Sequence, residues 1–298
     1  MALKCDVQYR KGDSGFRLTR VGVTGVHKPI RIGRPDAAGG VSTILNCCLD
    51  VFVDLPAEQR GSHLSRNVEV LQAVAEESLA CPITGLENMA AEIVKRLLER
   101  HEYAQNAEVH ITSDYFRPSE TPSGRKTMEM YTLHAGAVAV RGQPVRKTIG
   151  AEVIGMTACP CAQESIAEML GAKDSPFPGM SHNQRNVCTI LMDMDENTNI
   201  EADDLIDVAQ KSFSTPTYEL LKREDEGQVV INAHSNTRFV EDVVRSALTI
   251  VVRNFTELPD DVGVKVISDS EESIHKHNAY AERTATLGEL RAEHRAVE

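Results

Sequence analysis

The chain has 298 residues, 41% hydrophobic and 26% charged, enough apolar material for one large core or two ordinary ones and too balanced for a disordered or fibrous protein. Its 44 acidic residues against 32 basic ones leave a formal charge of -12, so the basic footprint of nonspecific nucleic-acid binding is missing and no nucleic-acid partner is expected. No apolar run is long enough to span a bilayer, Met1 to Arg20 lacks the apolar stretch of a signal peptide, and seven cysteines, an odd number, fit reduced thiols; a cytoplasmic protein with no membrane partner is expected.

Val41 to Pro56 is rich in β-branched and aromatic residues and ends at a proline, the pattern of a buried strand. Ser65 to Ala80 places Val68, Leu71, Val74 and Leu79 at helical spacing. Thr84 to Arg100 repeats the periodicity, with Glu87 three residues after a Thr that can cap. Glu108 to Tyr115 and Met128 to Val140 alternate as strands around the turn-rich Pro118 to Gly124. There follow a strand (Thr148 to Met156), a short helix (Ala162 to Leu170), a strand (Val187 to Met194), helices at Ala202 to Phe213 and Arg238 to Asn254, and a strand at Val262 to Ser268. Both halves thus run strand, paired helices, strand, and Arg66-Asn-Val-Glu69 is echoed by Arg238-Phe-Val-Glu241, as an internal duplication would leave. The order argues for an α+β fold with antiparallel sheets and helices on one face. A doubly wound nucleotide fold is disfavoured, because neither Gly-x-Gly-x-x-Gly nor a phosphate-binding Gly-x-x-x-x-Gly-Lys loop occurs.

Chemistry concentrates in the second half. Cys159-Pro-Cys161 follows a strand, and its spacing is neither that of a zinc knuckle nor of a thioredoxin-like redox pair. Of the two thiols one, Cys159, is taken as the better metal ligand. His182 follows in a Ser-His-Asn-Gln-Arg loop, where a plain solvent-exposed histidine is the competing reading. Lys222-Arg-Glu-Asp-Glu226 reads either as a solvated charge cluster at the end of a helix or as the source of a hard oxygen ligand, Glu226. Glu241 is a capping or surface carboxylate, or a general base. Glu271-Glu-Ser-Ile-His-Lys-His277 gathers two acids and two histidines, where a carboxylate can accept paired N–H donors from a purine and a histidine can move protons.

Together Gly25-Val-His-Lys-Pro, Phe52-Val-Asp-Leu-Pro, Gly61-Ser-His-Leu-Ser-Arg, Cys159-Pro-Cys, His182-Asn-Gln-Arg, Leu220-Leu-Lys-Arg-Glu-Asp-Glu, Phe239-Val-Glu-Asp and Glu272-Ser-Ile-His resemble, in this order, the type IB GTP cyclohydrolase family and most of all its archaeal branch, which serves methanopterin biosynthesis. The resemblance implies a bimodular tunnelling fold, two tandem antiparallel-sheet modules (1–145 and 146–298), each with a pair of helices. It implies a homo-oligomer, dimer or tetramer, with active sites at subunit interfaces and GTP as substrate. Carried over by position, it makes Cys159, His182 and Glu226 the ligands of one metal per subunit, ferrous iron with zinc or manganese as substitutes. It makes Glu272 the purine anchor and leaves Cys159, His275 and Glu241 for catalysis; Arg185, Lys222 and Arg223 are the cations nearest in sequence for the triphosphate. Bacterial relatives have a shorter connection before the His-Asn-Gln-Arg and usually Ser-Lys where Ala162-Gln163 stands here. The longer Met169 to Met180 segment and the acidic surface lean towards the archaeal product, a 2',3'-cyclic phosphate of dihydroneopterin, rather than dihydroneopterin triphosphate. A noncatalytic, metal-stabilised assembly protein, and a related pterin aldolase or nitrile reductase, are the other readings.

Overall fold

β1 (Leu18–Gly33) and β2 (Ser42–Leu55) pair antiparallel from Leu18 opposite Leu55 to Gly33 opposite Ser42. β2 is the strand expected over Val41 to Pro56, but it alternates: Leu45, Cys47, Leu49, Val51, Val53 and Leu55 are buried and the residues between them are not. The register slips between Val23 and Val26, where Gly25 takes a φ of 67° and donates its N–H to Asp50 Oδ1 at 2.7 Å. This bulge requires glycine, since a side chain is strained at that φ. The computed structural model describes residues 7–11, 14–33, 42–172 and 174–296; Cys5, Val41 and Lys173, which fall within the thiol, strand and connection readings above, lie outside them, as does the start of the N-terminal segment.

The residues form two compact units. The first comprises Met1–Asp114, Leu133–Ile149 and Asp193–Asn199. In it β1, β2 and β3 (Asn106–Glu120) are successive neighbours, and α1 (Leu64–Ala80) packs on β1 and on α2 (Leu86–Arg100). The predicted cap of α2 is corrected: Gly85, not Thr84, stands at the N-cap and no side chain caps it, while Thr84 Oγ1 instead accepts from Asn88 at 3.0 Å. Glu87 is buried and its carboxylate folds back against Gly85.

The second unit comprises Tyr115–Thr132, Gly150–Met192 and Ile200–Glu298. Here β5 (Arg146–Ala158), β6 (Asn183–Asp195), β8 (Gly263–Glu271) and β9 (Ala279–Thr286) lie side by side, with β7 (Thr215–Pro216) along β5; β3, β4 (Lys126–Val140), β5 and β6 each have residues in both units. α6 (Val240–Asn254) packs on β8, β9, α4 (Ala202–Ser212) and α7 (Leu287–Arg295). α3 (Pro160–Leu170) has no buried residue and ends at Gly171, whose φ of 62° lets Ala172 N–H reach back to the Ala167 carbonyl at 2.9 Å. The charge cluster Lys222 to Glu226 begins a helix rather than ending one: α5 (Arg223–Ser235) buries only Asp225, Val229 and Ala233, and its Asp225 carboxylate accepts the N–H of Lys222 at 3.2 Å. So narrow a stripe hides the helical period, and acids in the first turn suit the positive end of a helix. Among the described residues no helix is long and apolar enough to cross a membrane.

Candidate functional site

Pro160 starts α3 at its first position, where its missing N–H costs nothing, and so fixes Cys159 as the N-cap. Cys159 Sγ accepts the Ala162 N–H at 3.5 Å, its own N–H donates to the His182 carbonyl at 3.2 Å, and its carbonyl accepts from Ser181 Oγ at 2.6 Å. The backbone therefore holds Cys159 and His182 opposite one another at the end of the β5/β6 ladder. Cys161 lies in the first turn of α3 and is exposed. The two thiols differ because one caps a helix and the other is inside it; two residues apart in extended backbone, they would have faced the same side.

His182 is 14% exposed, and its Nδ1 lies 3.2 Å from Ser273 Oγ and 3.9 Å from the Glu272 carboxylate. Glu272 is 10% exposed and its Oε2 is buried without a hydrogen-bond partner. An unpaired buried carboxylate oxygen is costly, which marks it as an acceptor awaiting a donor. Cys159, His182 and Glu272 are thus brought together by the ends of three strands. Their donor chemistry fits a borderline metal: a thiol and an imidazole on backbone positions bonded to each other are ligand types that zinc or ferrous iron takes. Among the described residues, however, no three His, Cys, Asp or Glu side chains are grouped to hold a metal. Glu226 is exposed in the first turn of α5, beside the exposed Lys222 and Arg223.

The remaining predicted residues sit elsewhere on this unit's surface. Glu241 is exposed in the first turn of α6. Arg185 is exposed on β6, on the opposite face from the buried Gln184 and Asn186. His275 and His277 are exposed in the turn between β8 and β9, their rings stacked 5.1 Å apart and 16° from parallel.

Sequence reasoning missed a set of buried polar atoms next to this site. Thr157 Oγ1, Gln184 Oε1, Ser270 Oγ and Arg238 Nε are all buried without a hydrogen-bond partner, while Asn186 and Ser268 satisfy each other at 2.9 and 3.0 Å. The signal was present as polar residues on the buried beat of otherwise apolar strands. By contrast, an open cleft of about 300 Å³ lined by Lys95, Arg141 and Glu196 in the first unit contains none of the predicted residues.

Comparison with known proteins places this arrangement. The chain is 45% identical over 303 residues to GTP cyclohydrolase MptA 1 of Methanocella arvoryzae, covering 97% of this chain and 95% of the relative. It is 45% identical over 312 residues to GTP cyclohydrolase MptA of Methanothermobacter thermautotrophicus, covering 98% and 97%. Among solved structures, uricase from Arthrobacter globiformis superposes with a TM-score of 0.50 over 90% of this chain and 93% of that one, at 9% identity, and a uricase from Bacillus fastidious with 0.50 over 93% and 95%, at 10%. At such identity they show the fold alone, the tunnelling fold of antiparallel strands and packed helices. The profile of an enzyme family, the type I GTP cyclohydrolases folE2, matches residues 5–281, and with these relatives it establishes that the chain belongs to that family.

Proposed function

We propose that this protein is a metal-dependent GTP cyclohydrolase that converts GTP and water to 7,8-dihydroneopterin 2',3'-cyclic phosphate, formate and pyrophosphate, an early step of pterin biosynthesis. The observation that carries the reading is the rung of Cys159, His182 and the unpaired Glu272 carboxylate. Cys159 and His182 would hold the metal with Glu226 as the oxygen donor, and the contact of Nδ1 with Ser273 orients the imidazole. Ferrous iron, one per subunit, is the proposed ion, with zinc or manganese as substitutes. When bound, such a metal supplies water acidified to a pKa of about 7 for attack at C8 of the purine.

The chain's own residues do the rest. Glu272 accepts the N1–H and 2-amino N–H of guanine, satisfying its buried oxygen with a charge-assisted pair. His275, exposed in its turn, delivers the proton to the ring nitrogen as the imidazole C–N bond opens, and Glu241 positions the water. Arg185, Lys222 and Arg223 neutralise the triphosphate, which lets a ribose hydroxyl attack the α-phosphorus in line and expel pyrophosphate. We further propose tandem modules at 1–145 and 146–298 and a cytoplasmic homo-oligomer, dimer or tetramer, whose interfaces complete the site; the exposure of Glu226, Glu241, Arg185 and His275 in the single chain supports that assembly.

Mass spectrometry of an anaerobic reaction with GTP and ferrous iron tests the reading. The cyclic phosphate with one pyrophosphate per formate is expected. An intact triphosphate on the pterin, without pyrophosphate, would reassign the product to the bacterial type. No formate at all, together with unfolding on metal removal, would make the metal structural and the protein noncatalytic.

A further inference from the structure

The strand register extends the site inward. Cys159 faces His182, and nine residues further in along both strands Gly150 abuts Leu191 so closely that a Cβ there would overlap it. Between these two points Thr157 falls opposite Gln184. On the other side of β6, Asn186 bonds Ser268 while His182 sits by Glu272, so β8 descends as β6 ascends and Ser270 falls opposite Gln184. Thr157, Gln184 and Ser270 therefore form one rung on the buried face, immediately inboard of Cys159, His182 and Glu272. They are 0%, 7% and 0% exposed, and each has a buried oxygen without a hydrogen-bond partner. One rung further in, the Asn186 and Ser268 pair is satisfied, and beyond it the face is apolar, with Cys188 and Val266.

Three unsatisfied oxygens in a row are unusual in a packed interior, where nearly every buried polar atom finds a partner. Arg238, whose N–H bonds the Ala158 carbonyl at 3.0 Å, is the cation nearest in the chain to the rung, but all three side chains of the rung itself are neutral and it lies under the Glu272 carboxylate, which opposes a phosphate. What suits them is a neutral group rich in N–H donors. We propose that this rung is the floor of the pocket rimmed by Glu272 and that Gln184 Oε1 accepts from the exocyclic amine of the purine, making Gln184 a base-binding residue that selects a 2-amino purine. The proposal rests on the GTP cyclohydrolase reading and adds to it a determinant of base specificity.

The test compares GTP with inosine triphosphate, which lacks that amine, on the parent, Gln184→Met and Thr157→Val. Gln184→Met keeps the volume while removing the unpaired oxygen, so the unliganded melting temperature should hold or rise. The KM for GTP should rise roughly tenfold, that for inosine triphosphate much less, with kcat for GTP changed by less than about threefold. The rise in melting temperature that GTP gives the chelator-treated parent should shrink in parallel, which needs no turnover. Thr157→Val should show the same pattern more weakly. If both variants keep the parent's KM values and GTP preference, the rung is a water-filled structural feature and the proposal fails. A parent that neither binds nor turns over GTP would instead overturn the functional reading itself.

Discussion

Cys159 and Cys161 are two residues apart and chemically alike, yet the fold treats them differently. The first caps α3 and is tied by its backbone to His182, whereas the second is exposed on the helix. Cys159→Ala is therefore expected to abolish both metal retention and turnover, and Cys161→Ala to leave the metal stoichiometry near that of the parent; metal analysis per subunit decides it, and equal loss in both would mean a two-thiol site. At Glu272 the expected effect is on substrate rather than metal. Glu272→Gln replaces one acceptor oxygen by an amide that opposes the purine N–H groups, and kcat/KM for GTP should fall by the equivalent of about 1.5–3 kcal/mol with metal content unchanged. Parent-like GTP kinetics in that variant would place the anchor elsewhere. Both residues stand out in the sequence because they belong to short motifs dense in thiol, acid or imidazole side chains. Gln184 and Thr157 do not stand out, because their alignment in one rung depends on which residue faces which, and no local pattern records a register.

Elements with a strong apolar period appear where the periodicity placed them: α1 at Leu64–Ala80 against an expected Ser65 to Ala80, and β5 at Arg146–Ala158 against Thr148 to Met156. Those with a weak period were missed or misassigned. α5 has a narrow stripe interrupted by Gly227, and β9 buries little, so neither announces itself. The junction between α1 and α2 makes a further prediction. His101, fully buried at the C-terminal cap of α2, has Nε2 2.6 Å from Asn67 Oδ1 of α1 and Nδ1 3.0 Å from Tyr103 Oη. Burial, helped by the nearby Arg66 and His63, pushes its pKa down from 6.5 to about 4. The folded state thus keeps this ring neutral while the unfolded chain takes up a proton below pH 6.5. Stability should be independent of His101 above that pH and fall progressively between pH 6.5 and 4, by as much as about 3 kcal/mol. Urea titrations of His101→Gln should lack that portion of the slope; an unchanged slope would show that other groups carry it.

For the molecule as a whole, charge is the dominant variable. Forty-four acids against 32 bases give -12, and exposed ion pairs such as Arg96 with Glu77 and Glu92 offset only part of the repulsion. Raising monovalent salt from about 0.1 M to 1 M shortens the screening length from about 10 Å to about 3 Å, weakening both effects. Because the chain carries twelve more acids than bases (44 against 32), repulsion outweighs the exposed pairs and the urea midpoint should rise with potassium chloride. A fall would mean that the ion pairs outweigh the net charge. At this scale the α+β class was legible from the order of elements, and the family from motifs spread over almost the whole chain. The two compact units each draw on distant stretches of sequence, which no local pattern records.

The backbone bond between Cys159 and His182 has an evolutionary corollary. The 22-residue excursion from one to the other leaves the β5/β6 ladder and returns to it, so the spacing of thiol and imidazole is set by the ladder, not by the intervening loop. Insertions and deletions between Gly171 and Met180 can therefore accumulate as lineages diverge without moving either side chain. A single residue gained or lost between His182 and Leu191 has the opposite consequence, turning His182 and Gln184 to the outer face together. Length variation among descendants of this gene should be tolerated in the first segment and purged from the second.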